Sequence, residues 1–153
     1  QNLVFELLHA KPCRTIMKLL QKVSFGPDAC EIGLTIAIWG ITFKAGTDDL
    51  RDSPSIAVIN RLLSEGAKVK AHDPTVSDNK EGIPPQVLIV NDPIVACDDA
   101  NAVVLLTDWD EYKSIDPNEV LKRTSDPNLI DTRNVLDVKE WKNLGFAYQG
   151  TGR

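Results

Sequence analysis

The sequence predicts the α/β class, with a doubly wound, mostly parallel sheet carrying helices on both faces, and three observations predict it. Thr35–Trp39 and Ala102–Leu106 are short apolar runs without strict alternation, as expected of strands buried on both faces of a parallel sheet. Between such runs lie segments with apolar residues at three- and four-residue spacing, so strands alternate with helices as in βαβ units. The chain of 153 residues, 42% hydrophobic and 25% charged, suits one compact core and not a disordered or fibrous chain.

Leu3, Leu7, Leu8, Ile16, Leu19, Leu20 and Val23 give the first segment a helical stripe, interrupted by Pro12. Ser24–Asp28 is rich in turn formers, and the core domain is expected to start after it. Thr35–Trp39 should be a central strand. Ser53-Pro54 supplies an N-cap followed by proline at the first helical position. Ile56, Ile59, Leu62 and Leu63 form the expected buried stripe of that helix, and Gly66 its left-handed cap. Ala67–His72 reads as the second strand, Val87–Val90 as the third, Pro93–Asn101 as a short helix and Ala102–Leu106 as the fourth strand. Pro117–Arg123 predicts a helix, Leu129-Ile130 a strand end, Val138–Leu144 a helix and Phe146–Tyr148 a closing edge strand. The whole is a Rossmann-like order of elements.

A formal charge of −5 removes the electrostatic footprint of a nucleic-acid or anionic-membrane binder. Cys13, Cys30 and Cys97 are scattered and odd in number, and with only His9 and His72 to join them neither a disulfide framework nor a structural metal site is expected. Nor is a nucleophilic thiol. No membrane span, signal peptide or Asn-x-Ser/Thr acceptor is present in these residues, so a cytoplasmic location is expected. The chain begins at Gln1, already amphipathic, which suggests a piece cut from something longer.

In an open parallel sheet, ligands bind beyond the carboxyl ends of the strands. The first strand-to-helix connection, Gly40–Asp52, spans 13 residues where about 2–6 are usual, and such length has a functional reason more often than not. Lys44 and Arg51 can meet phosphate oxygens there, beside the positive end of the helix that follows Ser53. The alternative is a surface loop in which both pair with Asp48, Asp49 and Asp52. Neither GxGxxG nor GxxxxGK[ST] is present, so the usual dinucleotide turn is not encoded. Asp73, at the end of the second strand, stands where a ribose-binding acid would, or serves as the turn former of Asp-Pro. His72 reads as packing. Thr107 or Asp108 can cap the next turn, while Trp109 and Tyr112 cover the sheet end or form a subunit contact. Arg133 ends the fifth strand at the same edge as Lys44, and its alternative is a pairing with Asp131 or Asp137.

Four ordered blocks carry a family likeness: Ile38–Pro54; Gly66–Val69 with His72-Asp73-Pro74; Leu106–Tyr112; and Asp131–Asp137. Together they resemble the C-terminal, UDP-binding domain of the UDP-glucose/GDP-mannose dehydrogenase family, over about residues 30–150. The resemblance implies a helical connector over residues 1–29 from the preceding part of an enzyme, and a nucleotide-sugar-binding domain over 30–153. Family members oxidise the C6 hydroxyl of a nucleotide sugar twice, through a thiohemiacetal and a thioester, passing two hydrides to two NAD molecules. The dinucleotide turn and catalytic cysteine belong to an N-terminal domain absent from these residues, so this chain alone is expected to be inactive, with no catalytic residue and no metal ligand of its own. The match implies that Phe43, Lys44 and Arg133 contact a UDP-sugar substrate and that Arg51 reaches the NAD, which is held mainly by the missing domain. It also implies a homodimer or higher homo-oligomer in the full enzyme.

Trp39 departs from the small aliphatic residue usual at its position, and Asp78–Gln86 is shorter than the helix common there. The Phe43–Arg51 run is of the GDP-mannose branch, whereas the Thr107–Tyr112 and Asp131–Asp137 blocks are closer to the UDP-glucose branch, which is the one expected here. A free-standing nucleotide-binding module, or an assembly domain using the N-terminal helix and Trp109, are the alternatives.

Overall fold

The computed structural model describes residues 34–42, 44–50, 53–64, 66–77 and 81–150. The expected N-terminal helix and connector, and the start of the domain near residue 30, lie outside the described residues. Six strands form one sheet: β1 (Thr35–Trp39), β2 (Lys68–His72), β3 (Leu88–Ile89), β4 (Ala102–Leu105), β5 (Asn128–Asp131) and β6 (Ala147–Gly150). Their order is β3-β2-β1-β4-β5-β6, and every pair is parallel. β1 is central and β6 an edge, as expected; the sheet is wholly parallel where mostly parallel was anticipated.

The lack of alternation in β1 and β4 has its cause in two cores, one on each face. Ile36, Ile38, Ala102 and Val104 pack with Val58, Ile59 and Leu62 of helix α1 (Pro54–Ser64). Ala37, Trp39, Val103 and Leu105 point the other way, against Ala96, Tyr112, Val120 and Trp141. Those partners come from a 3-10 turn (Val95–Cys97) and from helices α2 (Asp110–Lys113), α3 (Pro117–Arg123) and α4 (Val138–Asn143). Trp39 is wholly buried, stacked on Tyr112 at 5.5 Å and edge-on to Trp141 at 6.2 Å, with its indole N–H donating to the Pro93 carbonyl. It fills the core, as its apolar context suggests.

The buried side of α1 is Ser55, Val58, Ile59 and Leu62, with Ile56 and Leu63 at its margins, so the stripe is rotated from the expected one. Ser55 is buried at the start of this side, and its backbone N–H donates to the capping Ser53 hydroxyl. Gly66 has φ +88 and closes the helix, and the Ala67 N–H returns to the Leu62 carbonyl. Pro93–Asn101 is mostly not helical. Only Val95–Cys97 turns, since Asp99 takes φ +59 and Asn101 leaves to accept the Thr35 N–H through its side chain.

Candidate functional site at the carboxyl edge

The register lines up the last residues of four strands: His72 beside Trp39, Trp39 beside Leu105, and Leu105 beside Asp131. The residues that follow each of them form one edge. At the exit of β1, Gly40 has φ +95 and donates its N–H to the His72 carbonyl. A Cβ placed there would lie 2.4 Å from the Thr107 Cβ and 2.6 Å from the Thr107 backbone nitrogen, so glycine is required by both backbone and space. Thr107, fully buried, donates its hydroxyl to the Thr42 carbonyl at 2.8 Å and thereby ties the exits of β1 and β4 together.

Asp73 is the junction of this edge. It is 2% exposed, and its Oδ2 accepts from the backbone N–H groups of Ile41 (2.9 Å) and Thr42 (3.0 Å), the Thr42 hydroxyl (2.9 Å) and the Trp109 indole N–H (3.2 Å). Its Oδ1 accepts from the Thr75 N–H (2.9 Å) and hydroxyl (2.8 Å). Burial alone would raise its pKa, but the backbone N–H groups of Thr42, Ile41 and Thr75 and the Thr75 hydroxyl outweigh it and hold the carboxyl below its usual value. A carboxylate so engaged is not presented to a ribose, and the turn former of Asp-Pro is the reading that fits, enlarged to a clamp across three strand exits. For the same reason the β1 turn does not fit a dinucleotide: its amides are taken, and Thr107 stands against Gly40.

Asp131 plays the matching part at the exit of β5. Fully buried, it accepts the N–H groups of Arg133 (3.1 Å), Val135 (2.9 Å) and Leu136 (2.9 Å), and the Tyr148 hydroxyl (2.6 Å). These bonds hold a turn in which Asn134 takes φ +57. Arg133 is thereby aimed back at β4, where its Nε donates to the Leu106 carbonyl at 3.0 Å. Its guanidinium does not pair with the expected alternatives: Asp131 takes the Arg133 backbone N–H, and Asp137 caps α4 through the N–H groups of Lys139 and Glu140.

The consecutive residues Leu106 and Thr107 therefore anchor the two loops that bear Arg133 and Lys44. Lys44 is exposed on the β1 loop. Phe43 and Arg51 lie outside the described residues. Neither Thr107 nor Asp108 caps a helix, because α2 begins after Trp109, with no side-chain cap, and the Thr107 hydroxyl is spent on Thr42. Trp109 is half-buried over Asp73, and Tyr112 is core. His72 is buried too, its Nδ1 3.1 Å from the Tyr112 hydroxyl and its Nε2 3.4 Å from Glu111. Burial lowers its pKa, against the opposing pull of Glu111, Asp73 and Asp92. Cys97 is buried and its thiol is pushed up to about 12, chiefly by that burial. Among the described residues no cluster of three or more His, Cys, Asp or Glu could hold a metal ion, and no helix is long and apolar enough to cross a membrane.

Comparison with known proteins was decisive: the profile of the UDP-glucose/GDP-mannose dehydrogenase family, UDP binding domain, matches residues 37–138. The chain belongs to this family. The UDP-binding domain is similar to UDP-glucose 6-dehydrogenase of Pseudomonas aeruginosa, 36% identical over 127 residues that cover 79% of this chain and 28% of that protein. It is similar also to the UDP-glucose 6-dehydrogenase of Rickettsia conorii, 40% identical over 122 residues, covering 78% and 28%. Among solved structures it resembles the NDP-N-acetyl-D-galactosaminuronic acid dehydrogenase of Methanosarcina mazei, with TM-score 0.80, 27% identity, and coverage of 97% of this chain and 30% of that one. The UDP-D-ManNAc dehydrogenase of Pyrococcus horikoshii gives TM-score 0.74 at 26% identity, covering 97% and 31%. The UDP-binding domain thus spans less than a third of the relatives it matches, and lies in their C-terminal part.

Proposed function

We propose that this domain binds the UDP-sugar in an NAD-dependent nucleotide-sugar 6-dehydrogenase that oxidises UDP-glucose at C6 to UDP-glucuronate, with two hydrides passing to two NAD molecules. The observation that carries the reading is the family match, strengthened by Lys44 and Arg133 standing on loops anchored to consecutive residues of one strand exit. Lys44 and Arg133 neutralise the diphosphate, Phe43 lies against the substrate, and Arg51 reaches the NAD. NAD itself is held by a preceding domain, which is consistent with a β1 turn whose amides Asp73 has already taken. UDP is favoured over GDP by the UDP-glucose 6-dehydrogenases at 36–40% identity. A homo-oligomer, a cytoplasmic location and a role in supplying sugar acids for polysaccharides belong to the same reading.

The test is kinetic. In the full-length protein, Lys44→Ala and Arg133→Ala each remove a charge-assisted contact of about 1.5–3 kcal/mol, which raises KM for UDP-glucose about 10–150-fold. Unchanged KM in both variants refutes the assignment. If the isolated chain bound UDP tightly and the full-length protein reduced no NAD, the domain would be a free-standing nucleotide-binding module.

A further inference from the structure

We infer that Asp73 is a positioning residue for diphosphate recognition: its carboxylate fills the anion position at the β1 exit from within, so that ligand phosphate is met by Lys44 and Arg133 and not by the turn's amides. The inference rests on the UDP-sugar reading above. In a sheet of order 3-2-1-4-5-6 the first turn ordinarily offers backbone N–H groups to a phosphate, and the acid ending the second strand is free for a ribose. Here the two are spent on each other, through bonds of 2.9 and 3.0 Å from Ile41 and Thr42 to the Asp73 Oδ2. Among the described residues no buried side-chain nitrogen or oxygen lacks a partner, so recognition falls to what protrudes from the edge.

The same carboxylate fixes where Lys44 stands. Thr42 is held by its N–H and hydroxyl to Asp73 and by its carbonyl to Thr107. Further along, the Thr75 hydroxyl gives its one proton to the Asp73 Oδ1 at 2.8 Å and lies 3.3 Å from the Thr47 carbonyl. Lys44 lies two residues beyond this anchored Thr42, and Trp109 is drawn over the same Oδ2. Removing the carboxylate frees three backbone donors and releases the Thr42 end of the segment that carries the cation.

The test is titration of the full-length protein with UDP, followed by calorimetry, at a temperature where circular dichroism reports the folded state. Asp73→Ala is expected to raise the UDP Kd about tenfold, and formate, a carboxylate small enough to refill the gap, to restore most of the affinity. A merely structural carboxylate would lower the melting temperature without moving the Kd of the folded chain, and that outcome overturns the inference while leaving the UDP reading intact. Wild-type full-length protein that does not bind UDP sinks the reading and the inference together. Should Asp73→Ala not fold, Thr42→Val loosens the clamp from the donor side and is expected to raise the Kd about threefold. An unchanged Kd there overturns the inference as well.

Discussion

Gly40→Ala is the most demanding test of the carboxyl edge, because the cost divides into two parts that the structure separates. The residue has φ +95, where an L side chain is strained by about 1–2 kcal/mol. The new methyl would also lie 2.4 Å from the Thr107 Cβ, 2.6 Å from its backbone nitrogen and 2.7 Å from its hydroxyl oxygen. Two of those atoms are backbone or Cβ and cannot swing aside, so overpacking of about 1–3 kcal/mol adds to the strain. The total is about 2–5 kcal/mol. Gly46→Ala is the matched control: φ is +85, and nothing lies within 4 Å of the added methyl, so only the strain remains. Urea unfolding of both variants measures the difference, which should be about 1–3 kcal/mol and should shift the midpoint without changing the slope. Equal destabilisation of the two would show that Thr107 does not hold the β1 exit, and the coupling of the Lys44 and Arg133 loops through β4 would fall with it.

Asp131→Ala strips an acceptor from three backbone N–H groups and from Tyr148, and is expected to cost at least about 3 kcal/mol in denaturant unfolding. Tyr148→Phe removes one of those bonds and should cost about 1–1.5 kcal/mol. His72 titrates below its unfolded value of 6.5, so the unfolded chain binds the extra proton first: its contribution is complete above pH 6.5 and is lost as pH falls through the folded pKa, a slope that His72→Gln removes. Asp73 is also depressed, so the stability gap between wild type and Asp73→Asn is full above about pH 3.8 and closes as pH falls further, read from urea midpoints. Cys97 should resist alkylation in the native chain at neutral pH and react once unfolded, as followed by mass spectrometry.

The sheet was legible because its signal is local. Apolar runs without alternation mark strands covered on both faces, and β1 and β4 fall where those runs lie, while β2 falls within the expected Ala67–His72. Helix α3 was legible from Pro117, and the structure adds Asp116 as its cap. Pro93–Asn101 misled, because a proline start and small residues suit a helix while the demand for Asn101 at the start of β1 is a tertiary fact. β3 is only Leu88–Ile89, since the Val87 N–H is spent on a turn back to the Pro84 carbonyl. Helix α2, four residues long, has no stripe to read. At the edge, Lys44 and Arg133 could be picked out as cations on strand exits, whereas the clamping role of Asp73 needed the register that sets β2 beside β1. A signal was present even so: an acid directly after the last buried residue of a strand occurs twice, at Asp73 and, as the final strand residue, at Asp131.

On the proposed reading, those two acids explain how one edge can be rigid and still receive an anion. Each is buried, and each spends its charge on backbone N–H groups of a strand exit, which stabilises a turn at a place where unpaired amides would otherwise face the ligand. Buried negative charge at an anion site is acceptable only because those donors neutralise it locally. The long cationic side chains then project from turns that cannot drift, Lys44 from the one ordered by Asp73 and Arg133 from the one ordered by Asp131. On the proposed UDP-sugar reading, affinity for the diphosphate depends on carboxylates that do not touch it. Substituting either acid is expected to weaken binding even though it removes a negative charge from the neighbourhood of the ligand, and a simple field argument predicts the opposite sign.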